Sequence, residues 1–194
     1  MTRIIAGSHG GRRLRTPGQT TRPTTDRVRE AAFSAIADWA GTGGQPAETS
    51  LAGLGFLDLF AGSAAIALEA ASRGAAPVVA VEADAKAAAV ARGNVAEVGL
   101  PVDVATSTVE RWLAGRTSSG FDIVWADPPY ELPNDRLGQI IETVVASGWL
   151  VPGGLLVLER SSRDSAPSLP ATMTLTWQRR YGETMLHFAM EDQC

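Results

Sequence analysis

The chain has 194 residues, a formal net charge of −4 and 45% hydrophobic residues, a length and composition typical of one compact domain. Its single cysteine, Cys194, cannot form an internal disulfide, and no stretch reaches the roughly 20 apolar residues of a membrane span. The first residues lack a long apolar segment of the signal-peptide kind, so we expect a cytoplasmic protein without a membrane anchor.

The charge is spread unevenly along the chain. Residues 1–30 contain seven arginines against Asp26 and Glu30, a net charge of +5, so the remainder carries −9. A basic segment on an acidic body is typical of a protein that docks on a polyanion with one end. A solvated basic segment without a partner is the alternative.

The first fifty residues predict a hairpin, a helix and a loop. RIIAG (3–7) and RRLRT (12–16) flank a glycine-containing turn and predict a short β-hairpin. Pro23 and two threonines then precede an amphipathic helix, and the small, polar residues that follow it predict a flexible linker loop. These patterns divide the chain into a basic hairpin arm at 1–22 and a main domain at 23–194, in which the leading helix spans 23–40 and the linker loop 41–53.

From Leu54 onward, apolar strands alternate with amphipathic helices. Strands are predicted at 55–60, 77–82, 102–106, 121–127 and 153–159, and helices at 63–74, 84–99, 109–115 and 133–148. Two more strands, 173–181 and 184–190, are predicted to form a terminal hairpin around Gly182. The pattern predicts an α/β fold with a doubly wound, mostly parallel, seven-stranded sheet, an antiparallel edge and a small N-terminal extension of hairpin and helix.

A turn of small residues follows the first strand of this series, in the sequence DLFAGSAAIALE (58–69). Ligands of open α/β sheets bind beyond the carboxyl ends of the strands, and small residues let a ligand approach the backbone at a helix N-terminus. The second strand ends at Glu82, 20 residues after Gly62, where a carboxylate can accept hydrogen bonds from both ribose hydroxyls of a nucleoside. We therefore predict a cofactor site here, with a ligand-free turn as the alternative.

The glycine pattern narrows the choice of cofactor. A dinucleotide fingerprint has three glycines, whereas this chain has Gly62 followed by Ala64 and Ala67 at the second and third positions. Only a pyrophosphate needs that close approach, so an adenosine cofactor without phosphates, S-adenosylmethionine, is predicted. Its adenine edge is expected just after the third strand. The predicted cofactor contacts are Asp58, Phe60, Ala61, Gly62, Ser63, Glu82, Ala83, Thr108 and Val109.

The fourth strand ends in Asp127-Pro128-Pro129-Tyr130. Proline has no backbone N–H, so strand pairing stops there and nearby carbonyls stay available as acceptors. Carbonyls, a carboxylate and an aromatic ring suit the amine of a nucleobase, because hydrogen bonds from the NH₂ group aim its nitrogen lone pair at a methyl donor while the ring stacks on the base. We predict that these four residues are catalytic, with a simple strand end as the alternative.

Together, DLFAGSAAIALEA and DPPY resemble the class I S-adenosylmethionine-dependent methyltransferases that modify exocyclic amines. RPTTDRVREAAF (22–33) and RRYGETML (179–186) further resemble the bacterial 16S rRNA guanine-N2 methyltransferases of the guanine-966 type, along nearly the full chain. The resemblance implies a Rossmann-like class I fold, methylation of N2 of one guanine, and recognition of an assembled or partly assembled 30S subunit. We expect the protein to be a monomer. The chain departs from the usual FAGSG of this family at Ala64.

With RNA as the expected partner, the basic arm is predicted to contact phosphates. The predicted RNA-binding residues are Arg3, Arg12, Arg13, Arg15, Arg22 and Arg27. Removal of residues 1–20 is then expected to weaken rRNA binding and to leave cofactor affinity unchanged.

Several rival functions share part of this pattern. A DNA adenine-N6 methyltransferase would use the same catalytic residues, whereas a protein-glutamine methyltransferase more often has asparagine in place of Asp127. A non-catalytic rRNA-binding assembly factor and a hydride-transferring oxidoreductase are the alternatives from other classes. No metal site is predicted, because His9 and His187 lie apart from any cluster of ligands at metal spacing.

Overall fold

The computed structural model describes residues 2–17, 25–115 and 119–191 of the chain. The N-terminal hairpin consists of β1 (Thr2–Arg3) and β2 (Arg13–Leu14), which pair antiparallel. Helix α1 (Asp26–Trp39) follows, and the side chain of its N-cap, Thr25, accepts a hydrogen bond from the N–H of Val28. The predicted hairpin and leading helix are both present.

The remaining elements alternate as expected. They are β3 (Phe56–Leu59), α2 (Ala65–Ser72), β4 (Val78–Glu82), α3 (Ala85–Val98), β5 (Asp103–Thr106), α4 (Val109–Leu113), β6 (Phe121–Ala126), α5 (Asn134–Ala146), β7 (Leu150–Ser161), β8 (Met173–Tyr181) and β9 (Thr184–Glu191). Strand β7 is longer than predicted at both ends, because its pairing with β6 begins at Leu150 and its pairing with β9 continues to Ser161.

The described residues form a main sheet of seven strands in the order β5-β4-β3-β6-β7-β9-β8. Strand β9 runs antiparallel to both of its neighbours, whereas the pairs among β5, β4, β3, β6 and β7 are parallel. The predicted doubly wound α/β sheet with an antiparallel edge is therefore confirmed. The last described strand, β9, lies inside the sheet between β7 and β8, so the two edge strands are β5 and β8.

Each face of the sheet carries its own core, because neighbouring residues of a strand point to opposite faces. In β3, Phe56 belongs to the core beneath α1, α2 and α3, whereas Leu57 belongs to the core beneath α4 and α5. The rings of Phe33 and Trp125 stack in the first core at a centroid distance of 6.5 Å. Covering helices on both faces leave the carboxyl ends of the parallel strands as the accessible edge.

Segment 41–53, predicted as a flexible linker, is anchored to the domain. It contains a 3₁₀ helix (Ala47–Thr49), and the Thr42 hydroxyl donates to the Ser50 carbonyl at 2.7 Å. Leu51 is fully buried, and its N–H donates to the Arg73 carbonyl at 2.9 Å. The buried leucine and the satisfied backbone groups hold this connection against the end of α2.

No helix in the described ranges is long and apolar enough to cross a bilayer.

Candidate active site

At the carboxyl edge of the sheet, Asp58, Glu82 and Asp127 lie close enough for the charges of the other two to act on Asp58. Asp58 in β3 is buried, and its Oδ2 accepts a hydrogen bond from the N–H of Ala67 in the first turn of α2 at 3.1 Å. Burial raises the pKa of Asp58 well above its usual value, the hydrogen bond from Ala67 lowers it, and the charges of Asp127 and Glu82 raise it further. The side chains predicted to bind cofactor and to act on the base therefore meet here.

Glu82 at the end of β4 braces the turn that follows β3. Its Oε2 accepts a hydrogen bond from the N–H of Gly62 and its Oε1 from the N–H of Asp84, each at 2.7 Å. A carboxylate has about four acceptor positions, so two remain for the hydroxyls of a ribose. A Cβ atom added at Gly62 would meet no described atom within 4 Å, and Ala83 is exposed beside Glu82. Glu82, Gly62 and Ala83 thus line an open space suited to a nucleoside.

The turn contains three left-handed residues: φ is 68° at Phe60, 54° at Gly62 and 60° at Ala64. For a residue with a Cβ atom this conformation costs roughly 1–2 kcal/mol. Ala64 occupies the position where the resembled family has glycine, and its methyl group is fully buried in the core beneath α1, α2 and α3. The extra methyl group therefore packs into the core of the domain and does not line the open space at Gly62.

The predicted adenine contacts lie at the start of α4. Thr108 is the N-cap of this helix, and its Oγ1 accepts a hydrogen bond from the N–H of Arg111 at 3.3 Å. The Val109 side chain is buried in the core beneath α4 and α5. The N–H of Ser107 donates to the Glu82 carbonyl at 3.0 Å, which ties this segment to the end of β4.

The Asp127–Tyr130 segment leaves the sheet directly beside the cofactor turn. The last residue of β6, Ala126, pairs with Leu59 of β3, so Asp127 follows β6 at the level where Phe60 follows β3. Asp127 is half-buried, Pro128 is buried, and the Tyr130 side chain is 66% exposed. The segment therefore presents an aromatic ring at the surface next to a partly shielded carboxylate.

Arg160 holds this segment from beneath, a role that sequence reasoning missed. Its guanidinium is almost fully buried, donates to the Leu132 carbonyl at 3.3 Å and pairs with Asp164 at 3.0 Å. The N–H of Leu132 in turn donates to the Pro129 carbonyl at 2.9 Å, which closes the turn after the two prolines. A charged residue near the end of the apolar strand GGLLVLE was the available signal.

The N-terminal hairpin is docked on the domain along its length. Both oxygens of the buried Glu69 accept backbone N–H groups of the hairpin, from Ile5 at 2.5 Å and from Ala6 at 3.1 Å, and Glu69 also pairs with Arg73 at 2.8 Å. Ile4 is fully buried in the core beneath α1, α2 and α3. Removal of residues 1–20 would therefore expose core, so substitution of single arginines tests their role more cleanly than truncation.

Asn94 connects the hairpin to the cofactor turn. Its Oδ1 accepts the N–H of Arg15 at 2.9 Å, and its Nδ2 donates to the carbonyls of Arg15 and Ser63, both at 3.0 Å. Asn94 is buried, and an asparagine on the inner face of the alanine-rich helix α3 was the only sequence signal for it.

The predicted RNA-binding arginines differ in their surroundings. Arg3 pairs with Asp26 at 3.0 Å and Arg15 pairs with Glu97 at 2.9 Å, both at the surface. Arg22 lies outside the described residues. The other three of the predicted set, Arg12, Arg13 and Arg27, are exposed and form no ion pair with any described residue. Surface pairs stabilise by at most about 1 kcal/mol, so five described arginines can reach a polyanion.

Side chains that could bind a metal ion do not cluster in the described part of the chain. Across residues 2–17, 25–115 and 119–191, no three side chains of histidine, cysteine, aspartate or glutamate come together as metal ligands. Of the three carboxylates at the carboxyl edge, Asp58 and Glu82 accept hydrogen bonds from backbone N–H groups.

Comparison with known proteins places the chain in a family. A family model described as conserved hypothetical protein 95 matches residues 2–190. The chain belongs to this family. A putative rRNA methyltransferase of Bacillus subtilis is 32% identical over 187 residues, which cover 94% of this chain and 95% of the relative. Ribosomal RNA small subunit methyltransferase D of Escherichia coli K12 is 32% identical over 183 residues, 93% of this chain and 85% of the relative.

Solved structures also agree with the fold. A putative methyltransferase of Escherichia coli superposes with a TM-score of 0.83 at 29% identity, covering 98% of both chains. A hypothetical protein of Thermus thermophilus superposes with a TM-score of 0.79 at 31% identity, covering 97% of this chain and 98% of that one. The predictions of a class I methyltransferase fold and of a methyltransferase enzyme are confirmed.

Proposed function

We propose that this chain transfers a methyl group from S-adenosylmethionine to the exocyclic N2 amine of one guanine, of the guanine-966 type, in 16S rRNA. The observation that supports the proposal is that two neighbouring strands end at the same level. Leu59 of β3 pairs with Ala126 of β6, so the cofactor turn begins beside Asp127. Adjacent strands lie about 4.8 Å apart, so a methyl donor held at the turn and an amine held at Asp127 can touch.

The residues at the cofactor turn fit S-adenosylmethionine. Glu82 has acceptor positions for two ribose hydroxyls, the space at Gly62 is open to a ligand, and the turn of residues 60–64 contains no basic side chain for a phosphate. When bound, S-adenosylmethionine supplies an electrophilic methyl group carried on a positively charged sulfur. The remaining proposed contacts are in or just after β3, β4 and β5 along the chain: Asp58, Phe60, Ala61, Ser63, Ala83, Thr108 and Val109.

On the base side, the chain orients the exocyclic amine of guanine, which is a poor nucleophile. Asp127 and the Pro128 carbonyl accept hydrogen bonds from the NH₂ group, which directs the nitrogen lone pair towards the methyl donor. The exposed ring of Tyr130 stacks on a guanine that has left its RNA helix. The amine nitrogen would gain the methyl group as the methyl–sulfur bond of the bound cofactor breaks to leave a neutral thioether, and the proton that the nitrogen loses would pass to the carboxylate of Asp127. Positioning and fixed dipoles supply most of the rate acceleration.

The choice of rRNA as substrate rests on the relatives and on charge. Two relatives at 32% identity, each aligned over more than nine-tenths of this chain, are named as rRNA methyltransferases. The exposed arginines Arg12, Arg13 and Arg27 suit a polyanion. We propose an assembled or partly assembled 30S subunit as the form recognised, with the enzyme acting as a monomer in the cytoplasm.

One labelling experiment tests the proposal. The protein is incubated with labelled S-adenosylmethionine and, separately, undermethylated small subunits, naked 16S rRNA and DNA, and the label is located by nuclease mapping. We expect label at N2 of one guanine, mainly in the subunits. Label at adenine N6 in DNA would establish the rival DNA methyltransferase, and binding of the subunits without any label would establish a non-catalytic assembly factor.

A further inference from the structure

The sheet register brings a second group of arginines to the edge that holds Asp127. Strand β8 runs parallel to β6 and β7, because β9 pairs antiparallel with both β7 and β8. The carboxyl end of β8, residues 179–181, therefore lies at the same edge as the end of β6. The RNA-binding residues predicted from the sequence all lie within the first thirty residues, whereas this group lies near the other end of the chain.

The pairing also fixes the height of these arginines above the edge. Leu158 of β7 pairs with Ala126, and two residues later Arg160 pairs with Met185, which pairs with Arg180. Arg180 is thus about 7 Å beyond the level of Ala126 at roughly 3.3 Å per residue, at the same edge of the sheet as the Asp127–Tyr130 segment. Three strand spacings, about 14 Å, separate β6 from β8, a distance that the nucleotides flanking a base at Tyr130 can span.

Two turns are fastened together at this place. The N–H of Ser162 donates to the Glu183 carbonyl at 2.8 Å, and Arg163 pairs with the Glu183 side chain at 2.7 Å. The Nε of Arg180 donates to the Gly182 carbonyl at 3.1 Å, which holds its guanidinium over the turn between β8 and β9. These contacts hold Arg163 and Arg180 at the two turns, so less conformational entropy is lost when a ligand binds. Arg179 points to the opposite face of β8, towards α1, at the same edge of the sheet.

The charge of this surface opposes that of the body beneath it. Residues 31–194 carry a net charge of −9, yet Arg163, Arg179, Arg180 and Glu183 together carry +2. Arg179 and Arg180 are exposed and form no ion pair with any described residue, although Asp38 lines the same shallow groove as Arg179. Arginines on an edge strand also protect it from pairing with other chains, a role that concerns aggregation and not RNA.

We propose that Arg163, Arg179 and Arg180, the β8–β9 rim, bind phosphates of the RNA strand that flanks the target base. The inference rests on the proposed function and adds a second, separate contact surface to the one on the N-terminal hairpin. With contacts on both sides of the active edge, the RNA strand crosses the sheet over Tyr130, and its direction is fixed before the base enters the site.

The test compares wild type with the double variant R179Q/R180Q. Binding to undermethylated small subunits and to naked 16S rRNA is measured from low to physiological salt, and S-adenosylmethionine affinity is measured by calorimetry. We expect affinity for RNA to fall about tenfold or more. The slope of log K against log salt should fall by about 1.4, since each single-strand phosphate contact contributes about 0.7. Cofactor affinity should not change.

The matched control is R111Q/R136Q, which removes two exposed arginines from α4 and α5. An equal loss of RNA affinity in both doubles would overturn the proposal, because net charge and not the rim would be responsible. An unchanged slope of log K against log salt for soluble R179Q/R180Q would also overturn it. Methylation of the subunits by wild type in the same samples tests the proposed function separately, so the two failures are distinguishable.

Discussion

The cofactor side and the base side of the candidate active site are neighbours with different construction. On the cofactor side, residues 60–64 and 82–84, backbone groups are held by buried or half-buried side chains, Glu82 above all. On the base side, residues 127–132, the Tyr130 ring is largely exposed and Arg160 supports the segment from below. A small cofactor needs a preformed site, whereas a base that swings out of a folded RNA needs an open one.

The largest effect is expected from D127A, which breaks the base side alone. Loss of the carboxylate removes the acceptor that orients the amine, so kcat should fall by about 10²–10³-fold. Cofactor affinity by calorimetry and the melting temperature should stay near wild type. The neighbouring exposed acid, in E131Q, serves as the control and should retain activity. Normal methylation by D127A would rule out the proposed role of this residue.

E82A should weaken cofactor binding and leave the base side intact. The N–H groups of Gly62 and Asp84 lose their acceptor, and the ribose loses its own, so S-adenosylmethionine should bind about 10²-fold more weakly. Affinity for RNA should change little, because the base side is intact. E142Q, an exposed acid on α5, is the control. If E82A weakened RNA binding as strongly as cofactor binding, the two sides would not be separate.

The buried carboxyl of Asp58 predicts a pH-dependent effect of moderate size. Burial raises its pKa above the ordinary 3.8, so the folded state holds this proton more tightly than the unfolded chain does. The stabilisation is therefore full below the ordinary pKa and is lost as pH rises through the pKa of the folded state. The stability of D58N relative to wild type should increase with pH in that window, by up to about 1.4 kcal/mol per pH unit.

Denaturant unfolding of both proteins across acidic and neutral pH measures this difference. D103N, which changes an exposed acid on β5, should show no such trend. A pH-independent difference between D58N and wild type would contradict a raised pKa.

The smallest effect concerns the left-handed Ala64. A64G removes roughly 1–2 kcal/mol of backbone strain, but it also removes a buried methyl group and adds flexibility to the unfolded chain, so unfolding free energy should change by less than about 1 kcal/mol. A64V adds bulk and a β-branched side chain at the same φ and should destabilise by several times as much. Equal melting temperatures for A64G and A64V would contradict this account of the turn.

Strand and helix order followed directly from the sequence, because buried parallel strands have continuous apolar residues and helices have a stripe of period 3.6. GFLDLF and FDIVWAD became β3 and β6, and DPP ended β6 as expected from proline's missing N–H. The long-range contacts of Glu69 with Ile5, Asn94 with Arg15 and Arg160 with Leu132 were not predictable, because each joins segments at least 28 residues apart and short-range patterns carry no information on such pairs.

By itself, the sequence determined the type of sheet, the carboxyl ends of β3, β4 and β6 and the chemical groups at those ends, all of which depend on local periodicity and backbone chemistry. Only the tertiary structure decided that β9 lies inside the sheet and that β8 is an edge strand, since strand order depends on pairing between distant segments. That same pairing brings Arg179 and Arg180 to the edge that holds Asp127. It also decided that the N-terminal hairpin is docked, because the partners that hold it lie on α2 and α3.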